Sequence, residues 1–357
     1  MEWTKGGRLD RFRYVRVSWP DFHEVGEIGS VTSCKIEENA LSDLKATGTL
    51  SKVGALDLGE SVEDMVRVYS VSELDGETAT VCHGTFKASV PQSDRSPISV
   101  KGDASLYSVL KVLQDEVVDQ AVTVSAQEDP IASAGQLCAE RSLPVRAAEL
   151  PGKVMAADKT FDAGTTVLSI VSGLCSLADY VLGVDAYGGV TMTPYRDPSS
   201  RAVTVTFDER SSDVLTEPDY RREMDLSSVY NLVTVVGEDA DGNPVRAQAR
   251  NDDATSPWSI ARRGRTVSYY EEMTDKVTQA AAQARATRIL RESTMVTDRE
   301  TIRHLWRPFG MNDGAQVSFP SSGVVGTYGV ISRTCEMRPG MPCETVVRRY
   351  VDAGVGA

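Results

Sequence analysis

Apolar and polar positions alternate through the N-terminal quarter of the chain. In RFRYVRVSW, Phe12, Tyr14, Val15, Val17 and Trp19 are interleaved with arginines, which predicts a half-buried strand. The segments VTSCKIEENA, KATGTLSKV, MVRVYSVSEL and TATVCHGTFKAS continue in the same way, separated by Gly, Asp and Ser. Asp75-Gly76, between two such runs, predicts a two-residue hairpin turn, because glycine tolerates the positive φ that such turns demand. Several short strands at near-regular spacing predict a small barrel or sandwich.

The period then changes. Leu106, Leu110, Leu113 and Val117 recur at helical spacing, with Asp103 or Ser105 as the N-cap. ASAGQLCAERSL predicts a second, shorter helix. TTVLSIVSGLCSLADYVLGVD predicts a third, with Val167, Val171, Leu174, Ala178 and Val181 on one stripe and Thr165 or Thr166 as its cap. Gly188-Gly189 turns the chain into a strand that starts at Val190, Met192 and Pro194, so the middle third reads as α+β.

Asp239-Ala240-Asp241-Gly242-Asn243 has the look of a calcium loop. The EF-hand template requires Gly at the sixth position and a bidentate Glu at the twelfth. Here Gly242 is fourth, Pro244 follows and Arg250 is twelfth, so a hairpin between the apolar runs on either side is expected instead. MTDKVTQAAAQARATRILRESTM predicts a helix over about 274–292, with Thr274 as N-cap and a narrow stripe of Val277, Ala281 and Ala284. Strands are expected from there to the C-terminal end.

Composition adds limits. The 357 residues are 41% hydrophobic and 25% charged, the balance of a globular protein, and no apolar run is long enough to span a bilayer. The charged start is not that of a signal peptide, which predicts a protein made in the cytoplasm that stays where it is made. Six cysteines lie scattered without a C-x-x-C pair and are expected as buried, reduced thiols; no metal or other cofactor is expected. The net charge of −13 is uneven: residues 1–261 carry 24 Lys and Arg against 41 Asp and Glu, a net −17, whereas residues 262–307 carry 10 against 6, a net +4. An acidic surface does not retain nucleic acid.

No catalytic constellation emerges. Glu37-Glu38, Asp252-Asp253 and Glu271-Glu272 are adjacent, and neighbours in a strand face opposite ways. Cys82-His83 lie within one apparent strand, which points the two side chains apart; His304 and Cys335 are brought together by nothing local. G-x-S-x-G, P-loop and H-E-x-x-H motifs are missing. The chain is therefore expected to be no enzyme.

The order of elements in the second half carries a resemblance. Tyr230, Asn231, Val233, Val235 and Gly237 form a YN-x-V-x-V-x-G strand, and Ser256, Pro257, Gly264 and Arg265 an SP…GR loop. The Ala-rich segment Thr274 to Leu290 follows, then Pro308, Asp313 and Gly314 in a turn into a strand. This resembles the hub proteins of phage tail baseplates and tail tips, including the late control protein D group and the N-terminal hub part of tail-associated proteins of long-tailed phages. The resemblance covers residues 165–320 and extends to 12–90. It implies a β-rich α+β chain with two similar small β-barrel domains, at 1–100 and 216–357, and an α+β domain between them at 101–215. It also implies a homotrimeric ring in the virion tail of a phage or prophage. That ring joins the tail tube or distal tail protein to a central spike or fibre and lets DNA pass through its lumen.

A ring that closes head to tail needs two unlike, complementary patches. Arg262, Arg263, Arg265, Arg285, Arg288 and Arg291 are the expected basic patch, with the acidic front as its complement. Two rival expectations are a tail-borne cell-wall hydrolase working through carboxylates, and a carbohydrate-binding module of the tail tip. For the latter, Trp3, Trp19, Trp258 and Trp306 would be sugar platforms rather than core or rim aromatics.

Overall fold

A computed structural model describes residues 3, 7–54, 63–96, 99–147, 152, 154–155, 157–196, 201–212, 229–239, 241–273 and 276–352. The chain divides into two compact units, one of residues 1–219 with 301–347, the other of residues 220–300 with 348–357. It is β-rich, 49% strand against 16% helix.

The first unit opens with seven strands: β1 (Leu9–Val17), β2 (Glu24–Glu27), β3 (Val31–Asn39), β4 (Ala46–Val53), β5 (Met65–Leu74), β6 (Glu77–Ser96) and β7 (Ser99–Ser108). The alternation does the folding. Ile36, Leu50, Val66, Val68, Phe86 and Leu106 all point into one core, and each is at most 2% exposed. Burial of each such side chain contributes about 1.5–3 kcal/mol. Leu74 pairs with Glu77 across Asp75 and Gly76, whose φ values of 50° and 84° give the expected turn.

Leu106 and its polar neighbours also satisfy strand periodicity, and that reading prevails. Residues 99–108 form β7, and the helix is confined to α1 (Lys111–Asp115). β8 (Val122–Val124), α2 (Pro130–Ala139), β9 (Val145–Ala147), β10 (Lys159–Phe161), α3 (Val167–Leu177), β11 (Tyr180–Val184) and β12 (Val190–Pro194) complete the middle. The Thr166 side chain caps α3 by accepting from the Ser169 amide. The helix stops before Ala178, so Val181 of the expected stripe lies in β11 instead. Val167, Ile170, Val171 and Leu174, each fully buried, centre this core.

The chain returns to the large sheet through β13 (Val203–Asp208). The second unit contributes β14 (Leu232–Glu238), β15 (Pro244–Arg250), α4 (Ile260–Arg263), β16 (Ser268–Glu272) and α5 (Gln279–Thr294). The last four strands are β17 (Met295–Leu305), β18 (Gly314–Phe319), β19 (Val324–Glu336) and β20 (Pro342–Asp352).

The strand sets from the two ends of the sequence do not form two separate closed barrels among the described residues. They join in one twelve-stranded sheet, ordered β13-β18-β19-β3-β4-β7-β6-β5-β1-β2, with β20 pairing β17 and β19 off that path. The join is the antiparallel pair β19–β3, in which Arg333 faces Glu38 and Cys335 faces Ile36. Period-2 patterning fixes which face of a strand is buried but not which strand is its neighbour. Two hydrophobic clusters remain distinct within the sheet. One is built on β1 and β3–β7, with Trp306, Cys335, Met341 and Cys343 added; the other is built on Phe207, Phe309, Val317, Tyr328 and Val347.

Candidate functional site

The second unit is a three-stranded sheet, β15-β14-β16, with α5 on one face. β14 and β15 pair from Leu232↔Arg250 to Glu238↔Pro244, so the DADGN segment is the hairpin turn. The Asp239 carboxylate accepts the Asp241 amide at 3.0 Å and the Asn243 amide at 2.8 Å, and Gly242 takes a φ of 82°. Those bonds to Asn243, with lesser help from Asp241 and the charge of Lys276, hold the carboxyl below its ordinary range.

Val233, Val235, Val245 and Ala247 face α5, meeting Val277, Ala282 and Ala286. The stripe thus falls on Ala282 and Ala286, while Ala281 and Ala284 are exposed. Alanines occupy most sides of this helix, so hydrophobicity alone does not select the buried one. Gly237 is required by the packing, since a Cβ there would sit 2.8 Å from the Val277 side chain. The expected cap, Thr274, lies outside the described residues; the Thr278 hydroxyl accepts the Ala281 amide at 3.2 Å.

At the opposite end from the DADGN turn, one buried residue organises the SP…GR loop. Asn231 is fully buried. Its side-chain oxygen accepts the Val267 amide at 2.7 Å, and its NH2 donates to the carbonyls of Arg265 at 3.0 Å and Trp258 at 3.3 Å. Ser259 caps α4 by accepting the Arg262 amide, and Gly264 ends it in the left-handed conformation.

The six arginines singled out in the sequence separate into three kinds. Arg262, Arg265 and Arg288 are exposed, with Arg262 Nε donating to the Ala254 carbonyl at 3.1 Å. Arg263 and Arg285 are spent inside the unit. Arg263 donates to the Val229 carbonyl at 2.6 Å and stacks on Trp258, 5.3 Å from the ring centre. Arg285 forms a two-point pair with Glu271 at 2.9 and 3.1 Å. The Arg291 side chain lies outside the described residues. Gln279 and Gln283 of α5 donate to the carbonyls of Arg246 and Gln248 on β15, so helix and strand run in the same direction. Arg288 therefore lies toward the same end of the unit as Arg250, Arg262 and Arg265, an end that also holds the exposed Asp253 and Asp252, the latter paired with Arg250 at 3.3 Å. Glu238, Asp239, Asp241 and Glu272 occupy the other end, where Lys276 pairs with Glu238 at 2.8 Å. Sequence reasoning found the net charge but not this division, because a linear count does not register which ends of antiparallel strands coincide.

The first unit offers no assembled reaction centre among its described residues. The Cys82 thiol bonds to the Ala186 carbonyl at 3.2 Å and is pushed up to about 11 by burial. The neighbouring His83 is held down to about 3 by burial and then by the Arg333 charge. His83 Nε2 lies 2.8 Å from Ser70 Oγ, and both nitrogens of His304 are bonded, to Thr345 and to the Leu305 carbonyl. An open groove of about 830 Å3 borders β9, but its arginines are paired, Arg67 with Glu24 at 3.4 Å and Arg146 with Asp185 at 3.0 Å. The tryptophans are partnered as well: Trp3 on Trp306 edge to face, Trp19 against Phe22 and Lys87, and Trp258 under Arg263.

No protein-family model matches the sequence, and no curated protein does either. Solved structures do share the fold. The tail protein from Neisseria meningitidis MC58 superposes with a TM-score of 0.67 at 12% identity, over 96% of this chain and 98% of its own. The 43 kDa tail protein of prophage MuSo2 from Shewanella oneidensis gives 0.62 at 13% identity, over 96% and 100%. The prophage tail protein gp18 from Listeria monocytogenes EGD-e gives 0.56 at 10% identity, over 94% of both chains. The fold is thus that of phage and prophage tail proteins.

Proposed function

We propose that this chain is a structural protein of a phage-type tail, a hub whose copies close into a trimeric ring between the tail tube and a central spike or fibre. The ring would leave a lumen for DNA in transit. The observation that carries the reading is the likeness in fold to the Neisseria tail protein over 96% of this chain and 98% of that one. The two hydrophobic clusters on either side of the β19–β3 join are the parts we read as the two tube-like halves that such a ring requires.

The second unit supports head-to-tail closure. It presents Arg262, Arg265 and Arg288 at one end and Asp239, Asp241 and Glu272 at the other, and a contact that closes a ring joins unlike patches. The surrounding acidity, a net −13 per chain, suits a channel in which DNA slides rather than sticks. The test is the native mass of the purified chain. A trimer of 38.7 kDa subunits, about 116 kDa, is expected; a monomer at every concentration tried would overturn the ring.

A further inference from the structure

Five of the six cysteines are buried, and two of them touch. β19 ends at Glu336 and β20 begins at Pro342, with the five residues 337–341 forming the turn between them. β20 pairs β19 in the sheet, and Cys335, next to last in β19, and Cys343, second in β20, belong to one hydrophobic cluster. The two side chains are close enough to interact, although the Cys343 thiol itself donates to the Met341 carbonyl at 3.4 Å, and the residues are 4% and 3% exposed. Residues directly opposed on antiparallel strands have Cα atoms about 4.5–5.5 Å apart, inside the roughly 4.4–6.8 Å that a disulfide spans. A third thiol, Cys34, lies in the same cluster, near Tyr14.

We propose that Cys335 and Cys343 are an oxidisable pair that closes into a disulfide across the mouth of the β19–β20 hairpin when the chain meets a low-molecular-weight disulfide. One cysteine thiolate attacks the oxidant's S–S bond and expels one small thiol, leaving a mixed disulfide. The second cysteine then attacks the protein sulfur of that bond and expels the other. Two protein thiols are oxidised to one disulfide, the oxidant is reduced to two thiols, and the two protons pass to the expelled sulfurs.

The link would tighten a joint on which β1 depends. The Gly340 amide in this turn donates to Asp10 at 2.8 Å, and Arg8 donates to the Gly340 carbonyl at 3.1 Å. Asp10 in turn holds Arg8 at 2.7 Å and Ser72 at 2.6 Å. Burial keeps both thiols out of water, so closure is slow beside that of an exposed pair.

The sequence makes the test direct. Trypsin does not cut Arg338-Pro339, so residues 334–348 emerge as one peptide holding both cysteines. The full chain is incubated with oxidised glutathione, denatured, alkylated and digested. The expected product is peptide 334–348 about 2 Da lighter and carrying no alkyl group, with the other four cysteines alkylated. The oxidised protein should also melt about 2–5 °C higher than the reduced one, a gain missing in Cys343→Ser. A peptide 334–348 that takes up two alkyl groups after prolonged oxidation overturns the proposal, as does a bond mapped to Cys34. The wild-type peptide map decides even if the variant does not fold.

Discussion

Arg333 is a residue whose loss should reach well beyond its own strand. Its guanidinium is buried at the β19–β3 join, where Nε donates to Glu38 at 2.8 Å and a second N–H reaches the same carboxylate. Nη1 donates to the carbonyls of Arg307 at 3.2 Å and Phe309 at 3.1 Å, and the group lies 4.7 Å from the Phe309 ring centre. Arg333→Met would leave Glu38 and two carbonyls unanswered. With Glu38 about a quarter exposed, a loss of about 2–4 kcal/mol is expected in denaturant unfolding, with part of it regained on adding Glu38→Gln. His83, close by, predicts a pH dependence. Its folded value of about 3 lies below the ordinary 6.5, so the native ring is neutral where the unfolded one is charged. The unfolded state then binds more protons between those values, and stability falls as pH drops below about 6.5, by roughly 2 kcal/mol at pH 5. Melting at pH 7 and pH 5 should differ by less in His83→Gln; an unchanged difference would assign the effect to other groups. Asn231 belongs with these two. Asn231→Ala strands the Val267 amide and two carbonyls, which should cost about 3 kcal/mol and loosen the arginine loop in hydrogen exchange.

Gly314 shows how an element's start is fixed by a neighbouring backbone. Its Cβ, if present, would lie 2.6 Å from the Ala202 carbonyl oxygen, where β18 runs parallel to β13. The adjoining Asp313 carboxylate accepts the Gly310 amide at 2.8 Å and the Thr204 hydroxyl at 3.0 Å, so the loop before β18 is held from both sides. Gly314→Ala should therefore cost at least about 2 kcal/mol of unfolding free energy through this clash, whereas Gly242→Ala meets no neighbour and should cost about 1 kcal/mol through its positive φ of 82°. The start of this strand was legible as the loop PFGMNDG leading into an alternating run. The hairpins at Asp75-Gly76 and Asp241-Gly242 were legible because Asp-Gly between two apolar runs supplies the positive φ of a tight turn. Residues 99–117 were not: Leu106, Leu110 and Leu113 fit a helix, and only pairing of β7 with β4 and β6 shows that Leu106 belongs to a strand. The buried face of α5 was hidden by its many alanines. The β19–β3 pairing was illegible in principle, since it links residues almost three hundred positions apart and no local pattern encodes that.

At the scale of the whole molecule, charge carries the assembly argument, and the structure refines which charges to change. Six arginines were candidates on sequence grounds, yet Arg263 and Arg285 already serve their own unit. Replacing them would damage the unit and mimic a lost interface. Arg262, Arg265 and Arg288 are exposed; Glu at these three positions changes each copy by six charges, removes the Arg262 Nε bond to the Ala254 carbonyl, and leaves Asn231, Trp258 and Glu271 with their partners. If the arginine end meets an acidic patch on a neighbouring copy, the triple variant should dissociate at least tenfold more readily at low ionic strength. The deficit should shrink by about 0.5 M salt, where screening acts within a few ångströms. Arg285→Glu should behave oppositely, lowering the melting temperature through repulsion of Glu271 with little dependence on salt. Analytical ultracentrifugation across a salt series separates the two responses. A triple variant that assembles as the parent does at every salt concentration would remove this end of the second unit from the ring contact. The fold likeness and the two strand-rich cores would then stand with a different surface to be found between copies.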